Sequence, residues 1–91
     1  MNIVWSDTAL ETYLHFIDYI FGKWTKKEVG NFQKNVDKLL ERLSVNDQLC
    51  PASKLLNYKC VVSKQTSLIY SIQNNVIYLV TFIDNRALNN F

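Results

Sequence analysis

The last third of the chain constrains its fold more than any other part, because it contains three short runs typical of β-strands. Residues 58–62, 67–72 and 76–83 are rich in β-branched and aromatic side chains, which suit a pleated and half-buried surface. Polar residues typical of turns separate these runs at 63–66 and 73–75. The pattern therefore predicts three strands joined by tight turns, which is an antiparallel meander.

The first half of the chain predicts one short strand followed by two helices. Residues 3–5 are apolar, and apolar residues then recur at spacings of three and four from Leu10 to Phe21. A second stripe of the same period runs from Val29 to Leu43, with charged residues on the other side of the helix. Because only a short gap separates the two stripes, we expect an antiparallel helical hairpin.

Polar residues and a glycine mark the limits of the first helix. Ser6, Asp7 and Thr8 are all candidates for the N-cap, and Thr8 with Glu11 fits a capping box. Glycine is a poor helix former, so Gly22 is expected to end or interrupt the helix.

In the order strand, helix, helix and three strands, these elements predict an α+β fold (β-α-α-β-β-β) in one domain covering residues 1–91. An N-terminal strand precedes an antiparallel two-helix hairpin packed on a small antiparallel sheet. The hairpin must cover one face of the sheet, because neither layer can bury its apolar side alone. The first strand is expected to pair with the last strand or its neighbour, and the other face of the sheet is expected to be open.

The charge of the chain is mild overall but unevenly distributed. The formal net charge is +2, of which residues 1–49 contribute −1 and residues 50–91 contribute +3. The charged residues of the second half are Lys54, Lys59, Lys64, Asp84 and Arg86. We therefore expect the open face of the sheet to lie nearest the basic residues and to attract an anion. The weak net charge argues against strong non-specific binding to nucleic acid, which needs many phosphate contacts.

The sequence carries no signal typical of secretion, membrane insertion or metal binding. Its first residues do not form a charged and apolar leader, and no apolar run is long enough to span a membrane. We therefore expect a soluble, cytosolic protein without membrane contact. Cys50 and Cys60 could pair on number alone, but the cytosol favours reduced thiols. Two cysteines and one histidine do not make a metal site, and no cofactor is predicted.

Five segments of the chain, taken in order, resemble the RelE/ParE-type toxins of bacterial type II toxin–antitoxin modules. They are residues 4–10, 13–20, 59–62, 68–70 and 76–86. No single segment is specific, and the resemblance lies in their order over nearly the whole chain. It implies a growth-inhibiting toxin that is neutralised by a cognate antitoxin protein.

The resemblance implies two activities. RelE-like members are metal-independent endoribonucleases that cut messenger RNA on the ribosome, whereas ParE-like members inhibit DNA gyrase. The two groups share a fold, so the fold does not decide between them.

A ribonuclease of this type needs a base for the 2′-hydroxyl, an acid for the leaving oxygen and cations for the phosphate. The resemblance implies lysines on the first meander strand, an arginine on the next, an arginine ending the last strand and a tyrosine in the tail. The candidates in this sequence are Lys59, Lys64, Arg86 and Tyr70. Ser67 stands where the family usually has the middle arginine, and residues 87–91 contain no tyrosine.

The same candidates also have structural explanations. Lys59 on a strand could serve only to discourage edge pairing, and Arg86 could be paired with Asp84. Tyr70 could be partly buried with its hydroxyl at the rim of the core. His15 could be an ordinary exposed residue of the first helix.

Three functions stay open on the sequence. The incomplete set of cations favours a toxin that binds its target, either a gyrase-like protein or the translating ribosome. The alternatives are a ribosome-dependent mRNA endoribonuclease and a non-toxic relic that only binds the antitoxin. A homodimer through the open sheet face or the second helix is also left open.

Overall fold

The structure is a computed structural model that describes residues 1–53 and 56–86. Its elements are β1 (Asn2–Trp5), α1 (Asp7–Lys23), α2 (Lys26–Val45), β2 (Tyr58–Val61), β3 (Thr66–Gln73) and β4 (Val76–Asp84). This order confirms the predicted α+β fold of strand, helical hairpin and meander. Lys54 and the tail at 87–91, both considered above, lie outside the described residues.

The four strands form one sheet in the order β1-β4-β3-β2. The meander β2, β3 and β4 is antiparallel, as predicted, and β1 pairs with the last strand. That pairing is parallel, so the sheet is mixed rather than fully antiparallel. Two reversals in the meander give β4 the direction of β2, and the helical hairpin between β1 and β2 lets β1 run the same way.

The turn between β3 and β4 is tight because two asparagines adopt the left-handed conformation. Asn74 and Asn75 have φ values of 52° and 64°, and asparagine tolerates this region better than other non-glycine residues. Two successive residues with positive φ match the twist of a two-residue hairpin.

Both helices pack on one face of the sheet, and Tyr13 of α1 lies at the centre of an aromatic group between the layers. Its ring centroid is 5.2 Å from that of Trp5, 5.5 Å from that of Phe82 and 5.8 Å from that of Phe32. Aromatic rings attract one another at these distances. The buried residues of the core are Ala9, Phe32, Val36, Leu39, Leu43, Cys60, Leu68, Tyr70, Ile77, Leu79 and Phe82.

The N-cap of α1 is Ser6, so the predicted capping box of Thr8 and Glu11 was wrong. The Ser6 hydroxyl oxygen accepts a hydrogen bond from the Ala9 N–H at 2.9 Å and donates one to the Val80 carbonyl at 2.9 Å. The Ser6 hydroxyl thus bonds to both the helix and the sheet, whereas the predicted box would bond only within the helix. The helix begins one residue before Thr8.

The other limit of α1 was also predicted wrongly, because the helix continues through Gly22 to Lys23. The C-cap is Trp24, whose backbone is extended and whose N–H donates to the Ile20 carbonyl at 2.8 Å. The glycine is therefore tolerated inside the last turn rather than ending the helix.

Cys50 and Cys60 form a disulfide bond, so the prediction of reduced thiols was wrong. The loop after α2 lies against β2, where the Pro51 carbonyl accepts a hydrogen bond from the Lys59 N–H at 3.2 Å. This places the two cysteine Cα atoms 5.3 Å apart, within the range that a disulfide requires. The bond joins the loop to the buried side of β2.

Candidate functional site

A bulge in β4 decides which face of the sheet carries each candidate residue. The pairing of β4 with β3 shifts by one residue between Leu79 and Thr81, so Val80 is an extra residue. Leu79 faces the core before the bulge, and Phe82 does so after it. Successive strand residues point to opposite faces, and the extra residue reverses which of them point inward. Asp84 therefore lies on the helix side of the sheet, like Phe82.

Lys59 lies on the opposite face of the sheet, away from the helices. Its neighbours Tyr58 and Cys60 pack in or against the core, so strand alternation directs the Lys59 side chain outward. Lys59 is half-buried and pairs in register with Ile69 of β3.

The face that carries Lys59 was predicted to be open. This prediction was wrong at the centre of the sheet. Ser67 and Ile69 are both 0 % exposed, although they alternate with core residues of β3. At one end of the face, the Ser67 hydroxyl donates a hydrogen bond to Asn85 Oδ1. Val61, which is 71 % exposed, belongs to the part of this face that is accessible.

Arg86 is held on the helix side of the sheet by an ion pair with Asp84, which confirms the predicted pairing. Arg86 Nη2 lies 2.8 Å from Asp84 Oδ2, and Nε lies 3.1 Å from Oδ1. These side-chain bonds, together with one from the Arg86 N–H, lower the pKa of the Asp84 carboxyl to about 2. The pKa of Arg86 is raised by Asp84 first and then by a hydrogen bond with Tyr19 of α1. Arg86 and Lys59 are therefore on opposite sides of the sheet.

Tyr70 lies inside the protein and is 0 % exposed. Its hydroxyl donates a hydrogen bond to the Asp47 carbonyl at 2.8 Å, and its ring stacks on Tyr58 with 5.1 Å between centroids. Burial raises the pKa of the Tyr70 hydroxyl. The structure therefore gives Tyr70 a packing contact and a hydrogen bond to the loop after α2.

Lys64 lies in the exposed turn between β2 and β3, at the end of the sheet that also carries Arg86. The Asn85 N–H donates to the Gln65 carbonyl at 2.8 Å, and the Asn85 amide donates to the Lys64 carbonyl at 3.2 Å. These bonds tie the turn to the end of β4. Of the four predicted site residues, only Lys64 and Arg86 are brought to one end of the molecule.

α1 runs along the edge of β4 beyond the point where β1 ends. The Ser6 N–H donates to the Leu79 carbonyl at 3.1 Å, and Thr12 Oγ1 accepts from the Phe82 N–H at 3.0 Å. The start of the helix thus satisfies backbone groups that no strand pairs with. As a result, the following turns of α1 lie alongside Asp84.

A cleft of about 280 Å³ lies between α1 and this end of the sheet. Its polar lining includes His15 and Tyr19 of α1 and Asp84 of β4, and Arg86 is paired with Asp84 at its edge. Imidazole is the commonest proton-transfer group in enzymes, and guanidinium binds phosphate through paired N–H groups. The cleft therefore combines a proton-transfer group with an arginine at its edge, and the Asp84 carboxylate occupies Nε and Nη2 of that arginine.

Sequence reasoning did not select His15 and Tyr19 as site residues. Their spacing of four on one helix places them on the same side of α1. This spacing was the one sequence signal that could have grouped the two residues. Their meeting with Asp84 depends on the packing of α1 along β4, which no local pattern predicts.

Neither a metal centre nor a membrane span is found in the described part of the chain. Within residues 1–53 and 56–86, no group of three or more His, Cys, Asp or Glu residues could hold a metal ion. Over the same residues, neither helix is both long enough and apolar enough to cross a bilayer.

No protein-family model matches the chain, and no curated protein matches it. Solved structures do match over nearly the full length. The YoeB–YefM complex from Staphylococcus aureus has a TM-score of 0.61 and 21% identity, covering 91% of this chain and 94% of that chain. In its fold, this chain is similar to YoeB.

Two further structures support the likeness to YoeB. The S. aureus YoeB dimer gives a TM-score of 0.61 at 22% identity, covering 89% of this chain and 92% of that chain. A heterotetrameric S. aureus YoeB–YefM toxin–antitoxin complex gives 0.59 at 21% identity, with the same coverage of 89% and 92%. At such identities the likeness establishes the fold, and function needs separate support.

Proposed function

We propose that the chain is the toxin of a type II toxin–antitoxin pair, which inhibits growth by itself and is neutralised by a cognate antitoxin protein. The observation that carries this proposal is the end-to-end likeness to YoeB, which covers about nine-tenths of both chains. YoeB has been solved with YefM as a toxin–antitoxin complex. The ordered resemblance of the sequence to RelE/ParE-type toxins agrees with it.

We favour a toxin that acts by binding a target, either a gyrase-like protein or the translating ribosome in the cytoplasm. Lys59 and Arg86 lie on opposite sides of the sheet, and Tyr70 is buried. Cleavage of RNA at a phosphate needs the cations and the acid within contact distance of that same phosphate group. The four predicted residues do not meet this requirement together.

The second candidate is a metal-independent mRNA endoribonuclease that uses the cleft beside α1. The specific observation in its favour is that His15, Tyr19 and the Arg86–Asp84 pair surround this cleft. His15 would accept the proton of the 2′-hydroxyl as its oxygen attacks the phosphorus, and Arg86 would stabilise charge on the phosphate. The P–O5′ bond would break, and the leaving 5′-oxygen would take a proton from water. Lys64 lies in the neighbouring turn and would contact the RNA backbone.

Expression of the full chain in bacterial cells tests the proposal directly. Growth arrest that is relieved by co-expression of an antitoxin protein is the expected result. Normal growth, with the protein folded and abundant, would overturn the toxin assignment and favour the non-toxic relic.

Mapping of mRNA ends after induction separates the two mechanisms. Intact mRNA with an induced DNA-damage response supports a gyrase-directed inhibitor, and intact mRNA with stalled translation supports a ribosome-binding toxin. Ribosome-phased cuts that disappear in His15→Ala and Arg86→Ala would establish the endoribonuclease. Lys38→Ala, which changes an exposed lysine on α2, is the matched control and should leave toxicity unchanged.

A further inference from the structure

α1 carries an apolar stripe that is largely exposed, with one member, Ile17, packed against the core. Leu10, Leu14 and Phe21 are 48%, 50% and 57% exposed, and Ile17 beside them is half-buried. At 100° per residue, these four positions fall within an arc of roughly 60° on the helix. They extend over three turns, a length of about 17 Å. Single exposed apolar residues are ordinary, but a continuous stripe of them is typical of an interaction surface. We call these four residues the α1 stripe.

A row of carboxylates borders the α1 stripe on one side. Asp7, Glu11 and Asp18 are all exposed, and they fall within an arc of roughly 40° next to the stripe. None of the three forms an ion pair within the part of the chain that the structure describes. Asp7 also lies in the first turn of α1, where a negative charge stabilises the helix. Glu11 and Asp18 lie beyond that turn and have no such explanation.

Negative charge also borders the α1 stripe on its other side, which faces α2. Tyr13 is the next residue around the helix from Ile17 in this direction. The pKa of Tyr13 is raised by burial and then by the charge of Asp37, and its hydroxyl has a hydrogen bond with Gln33. Because the charge of Asp37 acts on Tyr13 of α1, Asp37 lies on the side of α2 that faces α1, and its side chain is exposed.

The surface thus has an apolar centre, a row of three carboxylates on one margin and the single carboxylate of Asp37 on the α2 side. A partner of opposite charge would complement it. We propose that the α1 stripe docks an amphipathic helix of a partner protein, whose apolar face is flanked by lysine and arginine. The apolar groups would be buried together, and the basic flanks would meet the carboxylate row of α1 on one side and Asp37 on the other. This surface is separate from the cleft beside β4, and its occupation does not depend on toxin activity.

A second copy of this chain is a poorer occupant than a basic helix. Two copies joined through α1 would bring the carboxylate rows of both helices together, and like charges across an interface oppose binding. α2 has an exposed basic row, which consists of Lys27, Lys34, Lys38 and Arg42. Val45 is the one large apolar residue of α2 that is highly exposed among the described residues, so this row has no apolar stripe to match.

Two synthetic helical peptides of 18 residues test the proposal with the full chain. Both carry the same leucine stripe, flanked by lysines in one peptide and by glutamates in the other. Fluorescence anisotropy should show binding of the lysine-flanked peptide that is at least about tenfold tighter, with the difference reduced at high salt. Leu14→Ser and Phe21→Ser should each weaken this binding about tenfold, whereas Val61→Ser, an exposed apolar site on β2, should not.

The decisive variant is the double charge reversal Glu11→Lys with Asp18→Lys, which leaves the α1 stripe intact. It should reverse the preference, so that the glutamate-flanked peptide binds more tightly. Equal binding of the two peptides, no binding of either, or no effect of the reversal would overturn the proposal. Concentration-dependent dimerisation that is abolished by Leu14→Glu would also overturn it, because a second copy would then occupy the stripe. Circular dichroism of each variant confirms that the fold is retained.

Discussion

The Arg86 guanidinium contacts the Asp84 carboxylate at two points, with Nη2 2.8 Å from Oδ2 and Nε 3.1 Å from Oδ1. The Arg86 N–H adds a third hydrogen bond to Oδ1 at 2.8 Å. The ion pair fixes the arginine at the end of β4, beside α1, and leaves its side chain 66% exposed. Asp84 thus occupies two of the guanidinium nitrogens and balances its charge, while the rest of the side chain contacts solvent.

We expect the Asp84 carboxyl to titrate at about 2 rather than at its ordinary value of 3.8. Because the pKa is lower in the folded state, the ion pair favours folding above about pH 4, and this contribution is lost as the pH falls toward 2. Carbon-13 NMR of the carboxyl group measures the midpoint. Arg86→Ala should return it toward 3.8, and Arg42→Ala on α2 should not. An unchanged midpoint in Arg86→Ala would contradict the two-point pair.

Ser6→Ala should lower the free energy of unfolding by about 1–2 kcal/mol, because it removes the N-cap of α1. The same hydroxyl also donates to the Val80 carbonyl, so the helix and the sheet are both affected. Denaturation in urea measures the change. Thr8→Ala is the control, since the Thr8 side chain is exposed and does not cap the helix. Equal losses in the two variants would show that the cap is misassigned.

Reduction of the disulfide should lower the free energy of unfolding by roughly 2–3 kcal/mol, as expected for a closed loop of about ten residues. The bond joins residues with a sequence separation of 10. Denaturation of the wild-type protein with and without a phosphine reductant measures the loss. A Cys50→Ser variant should be less stable and insensitive to the reductant. If wild-type stability were the same in both conditions, the two cysteines would not be bonded in solution.

Tyr70→Phe should lower the free energy of unfolding by about 1 kcal/mol, because it removes the hydrogen bond to the Asp47 carbonyl. The ring remains, so its stacking on Tyr58 is retained. We expect the variant to inhibit growth as strongly as the wild-type chain. Loss of toxicity with unchanged stability would instead make the hydroxyl part of the active site.

Local patterns predicted the identity and order of the elements well. The runs 67–72 and 76–83 became strands Thr66–Gln73 and Val76–Asp84, and the second apolar stripe became helix Lys26–Val45. The prediction of the elements succeeds because apolar residues recur with a characteristic period, near 3.6 residues in a helix and 2 in a strand. The pairing of Arg86 with Asp84 was also predictable, since the two residues are close along the chain.

The apolar residues of α1 were predicted as a single stripe, and the structure divides them. Tyr13 and Ile20 face the core, whereas Leu10 and Phe21 face outward. Periodicity gives the width of an apolar surface but not the part of it that the sheet covers. The disulfide was missed for a similar reason, because only the fold brings residues 50 and 60 together.

By itself, the sequence determined the α+β fold class and the strand–hairpin–meander order, and it limited the partner of β1 to the last strand or its neighbour. Only the tertiary structure decided where the candidate side chains point. One extra residue, Val80, reverses the faces of β4, which places Arg86 beside α1 and leaves Lys59 on the other side of the sheet. The physical reason is that strand alternation has a period of two residues, so a single bulge exchanges the faces for every residue that follows it.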